Sequence, residues 1–258
     1  MTTTLLTAIL DTVNWFTEHP SLSKSAFSES LAIHKNMLPK DNLLPGSYEE
    51  VVRFINPYLV KTMKFDAYPK DHVLFRGKYR FVVSCRVCGE SRYNGSGRPR
   101  KVFTYLPLGF VRLYGNVDLS KLCQSHHGGG DEMFDVHDSP IFTHEYSERG
   151  YFQGHRREIS LAFITDGVNP YDNIKIRYSM WPIMLTNLNL PRRICNLFSN
   201  ILLVGLVPGN KNEEPTTLDP YLDVVVDELL SLSGCPLYDA YQEAPLEFKV
   251  KILLHILD

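Results

Sequence analysis

Three groups of residues in this 258-residue chain have the types and spacings that chemistry requires. The first is Cys85-Arg86-Val87-Cys88-Gly89. Two thiolates two residues apart suit one half of a tetrahedral zinc site, and the following glycine lets the backbone turn tightly. Further ligands must come from His72 upstream or from Cys123, His126 and His127 downstream. The competing reading is a pair of buried thiols in a turn. The second group is Asp166 and Asp258. Asp166 follows the alternation Ile159, Leu161, Phe163 and precedes Gly167, with Asn169-Pro170 marking a turn. Asp258 is the last residue, after the alternation Phe248, Val250, Ile252, Leu254, Ile256. Carboxylates at the rim of a sheet are placed to hold hard divalent cations. Otherwise Asp166 caps a turn, as aspartate before glycine commonly does, and Asp258 frays.

The third group is cationic. From Arg76 to Arg112 the cations Arg76, Lys78, Arg80, Arg86, Arg92, Arg98, Arg100, Lys101 and Arg112 face a single acid, Glu90. From Glu213 to Glu247 the charged residues are all acids. A net charge of −2 therefore conceals a basic and an acidic section. Arg76, Arg86, Arg92, Arg98, Arg100 and Lys101 are the candidates for gripping a polyanion; the bland alternative is a solvated face neutralised by the acidic section. Interleaved aromatics (Tyr79, Phe81, Tyr93, Phe103, Tyr105) can stack on bases or form a core.

The elements that must position these groups follow from periodicity. With 44% apolar and 22% charged residues the chain is ordinary for a globular protein and long enough for a sizeable core. No apolar run approaches the roughly 20 residues of a membrane span. The five cysteines are odd in number, and Thr2–Phe16 carries Asp11 and no basic lead, so it reads as a helix rather than a secretory signal. Thiols or metal ligands in a reducing compartment are expected. Thr4–Thr17 has Leu5, Ile9, Val13 and Phe16 at helical spacing; Ser21–Met37 is a second helix with Phe27, Leu31 and Ile33 inward. Ser47 caps a third, with Glu50 completing a capping box and Val51, Val52, Ile55 and Leu59 inward. Short strands are expected at Val73–Arg76, Phe81–Ser84 and Lys101–Tyr105, and a linker rich in His, Gly and Asp over 119–154. His137, His144 and His155 lack a metal-binding spacing.

Beyond it come strands at Ile159–Thr165, Ile176–Thr186 and Ile201–Val207, the second with Pro182 implying an edge or a bulge. A helix starting at Asp219-Pro220 buries Leu222, Val225, Val226 and Leu229, and the Phe248–Ile256 strand closes the chain. Three hairpin-linked strands, a helix and a fourth strand are the opening of a ribonuclease H-like fold, with the fourth strand parallel to the first. The expected class is thus α+β: a helical unit over 1–62, a zinc-knuckle-like basic region over 63–115, a linker over 116–157 and an incomplete ribonuclease H-like core over 158–258.

DGVNPY, YSMWPIMLTNLNLP, the VPG after the third strand, the DPYLDVVVDEL helix and a fourth strand ending in Asp resemble the CACTA (En/Spm-type) DNA transposase family. LPGSYEEV, YPKDHVLFRGKYRFVVSCRVCGESRY and DSPIF stand upstream in the family's order, so the resemblance covers about residues 25–258. It implies DDE-type, Mg²⁺- or Mn²⁺-dependent DNA strand cleavage and transfer in the nucleus, with Asp166 as the first acid and Asp258 as the second. It also implies that Cys85 and Cys88 are the second half of a zinc knuckle. Two departures matter. The family usually has cysteines at the positions of Tyr68 and His72; His72 can ligate zinc, but Tyr68 is a poor substitute, so a fourth ligand is expected from elsewhere. The third acid, the last strand and the later helices are not found here, so the expectation is a chain truncated within the catalytic domain and catalytically incomplete. The alternatives are a non-catalytic DNA-binding or interaction protein using the basic knuckle region, or a product without a selected role.

Overall fold

The computed structural model describes residues 4–108, 135–147, 149–152, 158–170, 178–209 and 214–257, and the statements below concern these. The chain divides into two compact units, Met1–Val60 and Lys61–Asp258.

The smaller unit is helical. Helix α1 is Leu5–Glu18, α2 Lys24–Met37 and α3 Tyr48–Ile55. Each begins at a hydroxyl side chain (Thr4, Ser23, Ser47) that accepts a hydrogen bond from a backbone N–H of the first turn. Glu50 reaches back as expected, but to the N–H of Gly46 at 2.7 Å, one residue before the cap. Ile9, Phe27, Leu31, Val51 and Ile55 form the core. Ile33, Val52 and Leu59, expected inward, are exposed. Ile33 lies two residues from buried Leu31, about 200° around a helix, which turns it to the opposite face.

The larger unit is built on a six-stranded sheet, making the chain α+β. Its strands are β1 (Met63–Ala67), β2 (Lys101–Tyr105), β3 (Ile159–Thr165), β4 (Met180–Asn187), β5 (Ile201–Pro208) and β8 (Val250–Leu257), in the order β1-β2-β5-β4-β3-β8. Short helices α4 (Pro140–Glu145) and α5 (Arg192–Cys195) precede β3 and β5, and α6 (Asp219–Leu232) connects β5 towards β8. Between α6 and β8 lies a hairpin that periodicity did not anticipate, β6 (Pro236–Asp239) with β7 (Ala244–Glu247). Its strands hold Pro236 and Pro245, which count against a strand reading. The strands expected at 73–76 and 81–84 reduce to isolated bridges, Ala67 to Leu74 and Ser84 to Ser91.

β3, β4 and β5 run antiparallel to their neighbours, whereas β3 and β8 are parallel. β4 has partners on both sides, so the edge expected from Pro182 is not realised and the bulge is. The register slips between Ile183 and Met184, and Pro182 lies beyond the last β3–β4 pair, Ile164 with Met184. At that position the missing N–H breaks no bond to β3.

One face of the sheet packs on α6. Ile159, Leu161, Phe163, Ile183, Leu185, Val204 and Val207 share a core with Tyr221, Val224, Val225 and Leu229. The buried helix positions follow i, i+3, i+4, i+8 spacing from Tyr221. Val226, expected inward, is 45% exposed because it lies one residue off that stripe. Phe103 of β2 covers Gly205 of β5 so closely that a Cβ there would stand 2.8 Å from the ring, and glycine resolves the clash.

The start of β3 is held by a buried polar cluster. The Tyr146 hydroxyl donates to the Glu158 carbonyl at 2.8 Å, and Asn189 bonds the Ser160 N–H, the Glu158 carbonyl and the Tyr146 hydroxyl. The Glu158 carboxylate accepts from the Lys249 N–H at 2.6 Å, linking β3 to the residue before β8. Burial pushes its carboxyl up to about 7, against the opposing Lys249 bond. Between about pH 4.5 and 7 the folded chain therefore holds a proton that the unfolded chain has lost, and stability falls as pH rises through this window. Glu158→Gln keeps an acceptor without the charge. It is expected to raise stability at about pH 8 by on the order of 1–3 kcal/mol, leave it nearly unchanged at about pH 5, and flatten the melting-temperature profile between them.

Candidate functional site

The knuckle is made by two turns on the end of the sheet. β1 runs directly into Tyr68, whose N–H donates to the Val73 carbonyl at 3.0 Å while its own carbonyl accepts from the Asp71 N–H at 2.9 Å. Asp71 has φ of 59°, left-handed geometry that aspartate tolerates better than most side chains. His72 follows on this turn. In the second turn the Gly89 N–H donates to the Cys85 carbonyl at 2.8 Å and Gly89 adopts φ of 77°, the conformation that requires glycine. The Val87 N–H points at the Cys85 sulfur, 3.4 Å away.

These turns gather ligand atoms of His72, Cys85 and Cys88 within 4.8 Å of one another. The Cys85 Sγ to His72 Nδ1 distance is 3.6 Å. Zinc–sulfur and zinc–nitrogen bonds of about 2.3 and 2.0–2.1 Å meeting at a tetrahedral angle subtend an edge of about 3.6 Å, so the donor set fits that ion. Cys85 is buried, whereas His72 and Cys88 are exposed. The Tyr68 hydroxyl facing the Cys88 sulfur is the main cause holding that thiol down to about 7. Tyr68 itself is pushed up, first by burial and then by Cys88 and Glu90. Cys123, His126 and His127 lie outside the described residues.

The basic section is much reduced as a surface. Lys101 is buried with its ammonium 2.5 Å from Asp71, which corrects its assignment as a cation presented to a polyanion. The same carboxylate accepts from the Tyr221 hydroxyl and, at 2.9 Å, from the Thr216 N–H. Arg92 is half-buried, bonded to Asp66 through two nitrogens and to the Arg80 carbonyl. Arg76 pairs with Asp227 at 2.6 Å and Arg100 with Glu90 at 2.8 Å. Arg86 and Arg98 are exposed, as are Lys78 and Arg80. Lys78 and Arg86 stand over the Tyr79 ring and Arg80 over Phe81, which is 87% exposed. Phe103 and Tyr105 are core residues, not stacking platforms.

Asp166 is exposed immediately after β3. The last β3–β8 partners are Thr165 and Leu257, the residues that precede Asp166 and Asp258 in the sequence. That register depends on a slip. Leu161 pairs with Ile252 but Ala162 pairs with Leu254, leaving Leu253 as an extra residue in β8. Asp258 itself lies outside the described residues.

Residues 132–258 match the family model described as Transposase family tnp2, just under half of the chain. The match takes in β3 to β8 and supports a transposase-derived origin; the knuckle lies upstream of it. No curated protein matches the chain.

Three residues that sequence reasoning left out belong to this region: Asp71, Tyr221 and Tyr68. Nothing in local pattern marks Asp71 or Tyr221, since their contact spans 150 positions. Tyr68 was set aside for its side-chain type alone. Removing one partner of a buried ion pair costs about 3–5 kcal/mol. Lys101→Ala is accordingly expected to lower the urea midpoint by that stability loss, as a buried strut does, whereas Arg98→Ala leaves the midpoint within error.

Proposed function

We propose that the chain carries the opening strands of a ribonuclease H-like, DDE-type core from a CACTA-type DNA transposase, with Asp166 and Asp258 as carboxylate ligands of divalent metal. In this reading residues 158–258 form the core, 63–115 a zinc-knuckle-like region facing DNA in the nucleus, and 1–62 a helical appendage. The observation that carries it is the parallel register of Thr165 with Leu257, which sends both chains towards an aspartate at the same end of adjacent strands. Adjacent strands lie about 4.8 Å apart, which suits carboxylates sharing a pair of cations about 3.5–4 Å apart. The antiparallel β3-β4-β5 run, with α6 leading across to β8, supports the same reading.

Mg²⁺ or Mn²⁺, when bound, activates a water or 3′-hydroxyl and stabilises the leaving oxygen at a phosphodiester. Asp166 and Asp258 hold the cations and orient them at the sheet rim. The reading assigns two carboxylates and no third, so the 258-residue chain is expected to hold the metal weakly and to nick DNA slowly or not at all. Mn²⁺ binding followed by electron paramagnetic resonance is the direct measurement. Wild type is expected to bind Mn²⁺ at a site that Asp166→Ala loses; equal binding by both proteins would overturn the assignment. Mn²⁺-dependent nicking abolished by the same substitution would show that two acids suffice.

A second reading, a non-catalytic DNA-binding protein, is favoured by the exposed cations around Tyr79 and Phe81. Duplex affinity is then expected to fall with salt at a slope of about −0.9 per phosphate contact. Arg86→Ala and Arg98→Ala should each reduce the slope by about one contact. A slope indifferent to both substitutions would argue against this surface.

A further inference from the structure

A tetrahedral ion held by His72, Cys85 and Cys88 lacks one corner, and the side chain aimed at that corner is Tyr68. Its residue is wholly buried, and its hydroxyl has no hydrogen-bond partner among the described residues. Burying a hydroxyl without a partner costs about 1–3 kcal/mol. A phenylalanine would fill the same space without that cost, so the oxygen calls for an explanation. Its surroundings supply one. The ring stacks on the His72 imidazole, centroids 5.0 Å apart and planes 24° apart. The oxygen faces the Cys88 sulfur and the Glu90 carboxylate, groups that repel a lone pair unless a cation stands between them.

We propose that Tyr68 completes the knuckle as an oxygen ligand, so that the chain binds one Zn²⁺ through Cys85, Cys88, His72 and the Tyr68 phenolate, whose proton passes to solvent. The proposal rests on the zinc reading of the three other residues. It replaces the expectation of a fourth ligand from elsewhere, which followed from the rarity of tyrosine as a zinc donor rather than from where this one points. Zinc accepts hard oxygen donors beside thiolate and imidazole. Glu90, the other oxygen donor at hand, is exposed and engaged by Arg100 at 2.8 Å, which suits it to the rim of the site. The turn that carries His72 is pinned through Asp71 to Lys101 and Tyr221, so Tyr68 and His72 are held ready on a rigid base.

The test uses the full chain, with Zn²⁺ as probe and Co²⁺ as its spectroscopic substitute. Wild type is expected to bind one Zn²⁺, and Cys85→Ser to lose it. Tyr68→Phe should bind Zn²⁺ at least about tenfold more weakly, release one fewer proton on binding, and alter the Co²⁺ ligand-field bands. Tyr68→Cys should restore tight binding with a further thiolate–cobalt band. Because the hydroxyl makes no bond without metal, metal-free Tyr68→Phe should melt no lower than metal-free wild type, which separates a ligand's role from a structural one. If Tyr68→Phe matches wild type in affinity, proton release and Co²⁺ spectrum, Tyr68 is not a ligand while the three-residue zinc reading stands. If wild type binds no Zn²⁺, or binds it regardless of Cys85→Ser, that reading fails and takes this proposal with it.

Discussion

The parallel pairing of β3 with β8 is the contact around which the larger unit is organised. A parallel neighbour cannot be reached by a tight turn, so the chain needs a crossover, and α6 supplies it while covering the sheet face. Burial of Tyr221, Val224, Val225 and Leu229 against β3, β4 and β5 stabilises both at once. The pairing also carries a correction. Without the extra residue at Leu253, Asp166 would fall level with Leu257 rather than one position beyond the last pair. One bulge thus decides whether two aspartates distant in sequence share a rim.

The knuckle is anchored to the same scaffold. Its two ends are β1 and β2, the outer strands on the β5 side of the sheet, so the Cys85 turn is held by sheet pairing and not by a flexible tether. Asp71 joins it to α6. Buried charge is costly unless every partner is present, and here the carboxylate receives Lys101, Tyr221 and Thr216 together. Burial lowers the Lys101 pKa while Asp71 opposes the shift, as expected for an ammonium kept charged by its neighbour.

Charge segregation along the chain resolves partly within the molecule. Arg76 reaches into the acidic section at Asp227, and Arg92 and Arg100 find acids within the knuckle region. What is left at the surface is a smaller set, Lys78, Arg80, Arg86 and Arg98, clustered with Tyr79 and exposed Phe81. Such a mixture of cations and aromatics suits nucleic acid better than a purely charged face does.

Sequence periodicity by itself determined the helices, the strands β2, β3 and β5, the crossover helix and the last strand. These are local: the apolar repeat of a strand or helix is written in consecutive residues, and caps such as Thr4, Ser23 and Ser47 stand beside what they cap. The Cys85-to-Gly89 turn was legible for the same reason. Only the tertiary structure decided that β4 is internal, that Lys101 is a buried strut, that Leu253 shifts the register and that Tyr68 faces His72, Cys85 and Cys88. Each of these depends on contacts between residues far apart in the chain. A cation's sequence position does not say which distant acid will bury it, and a tyrosine's does not say where its oxygen will point.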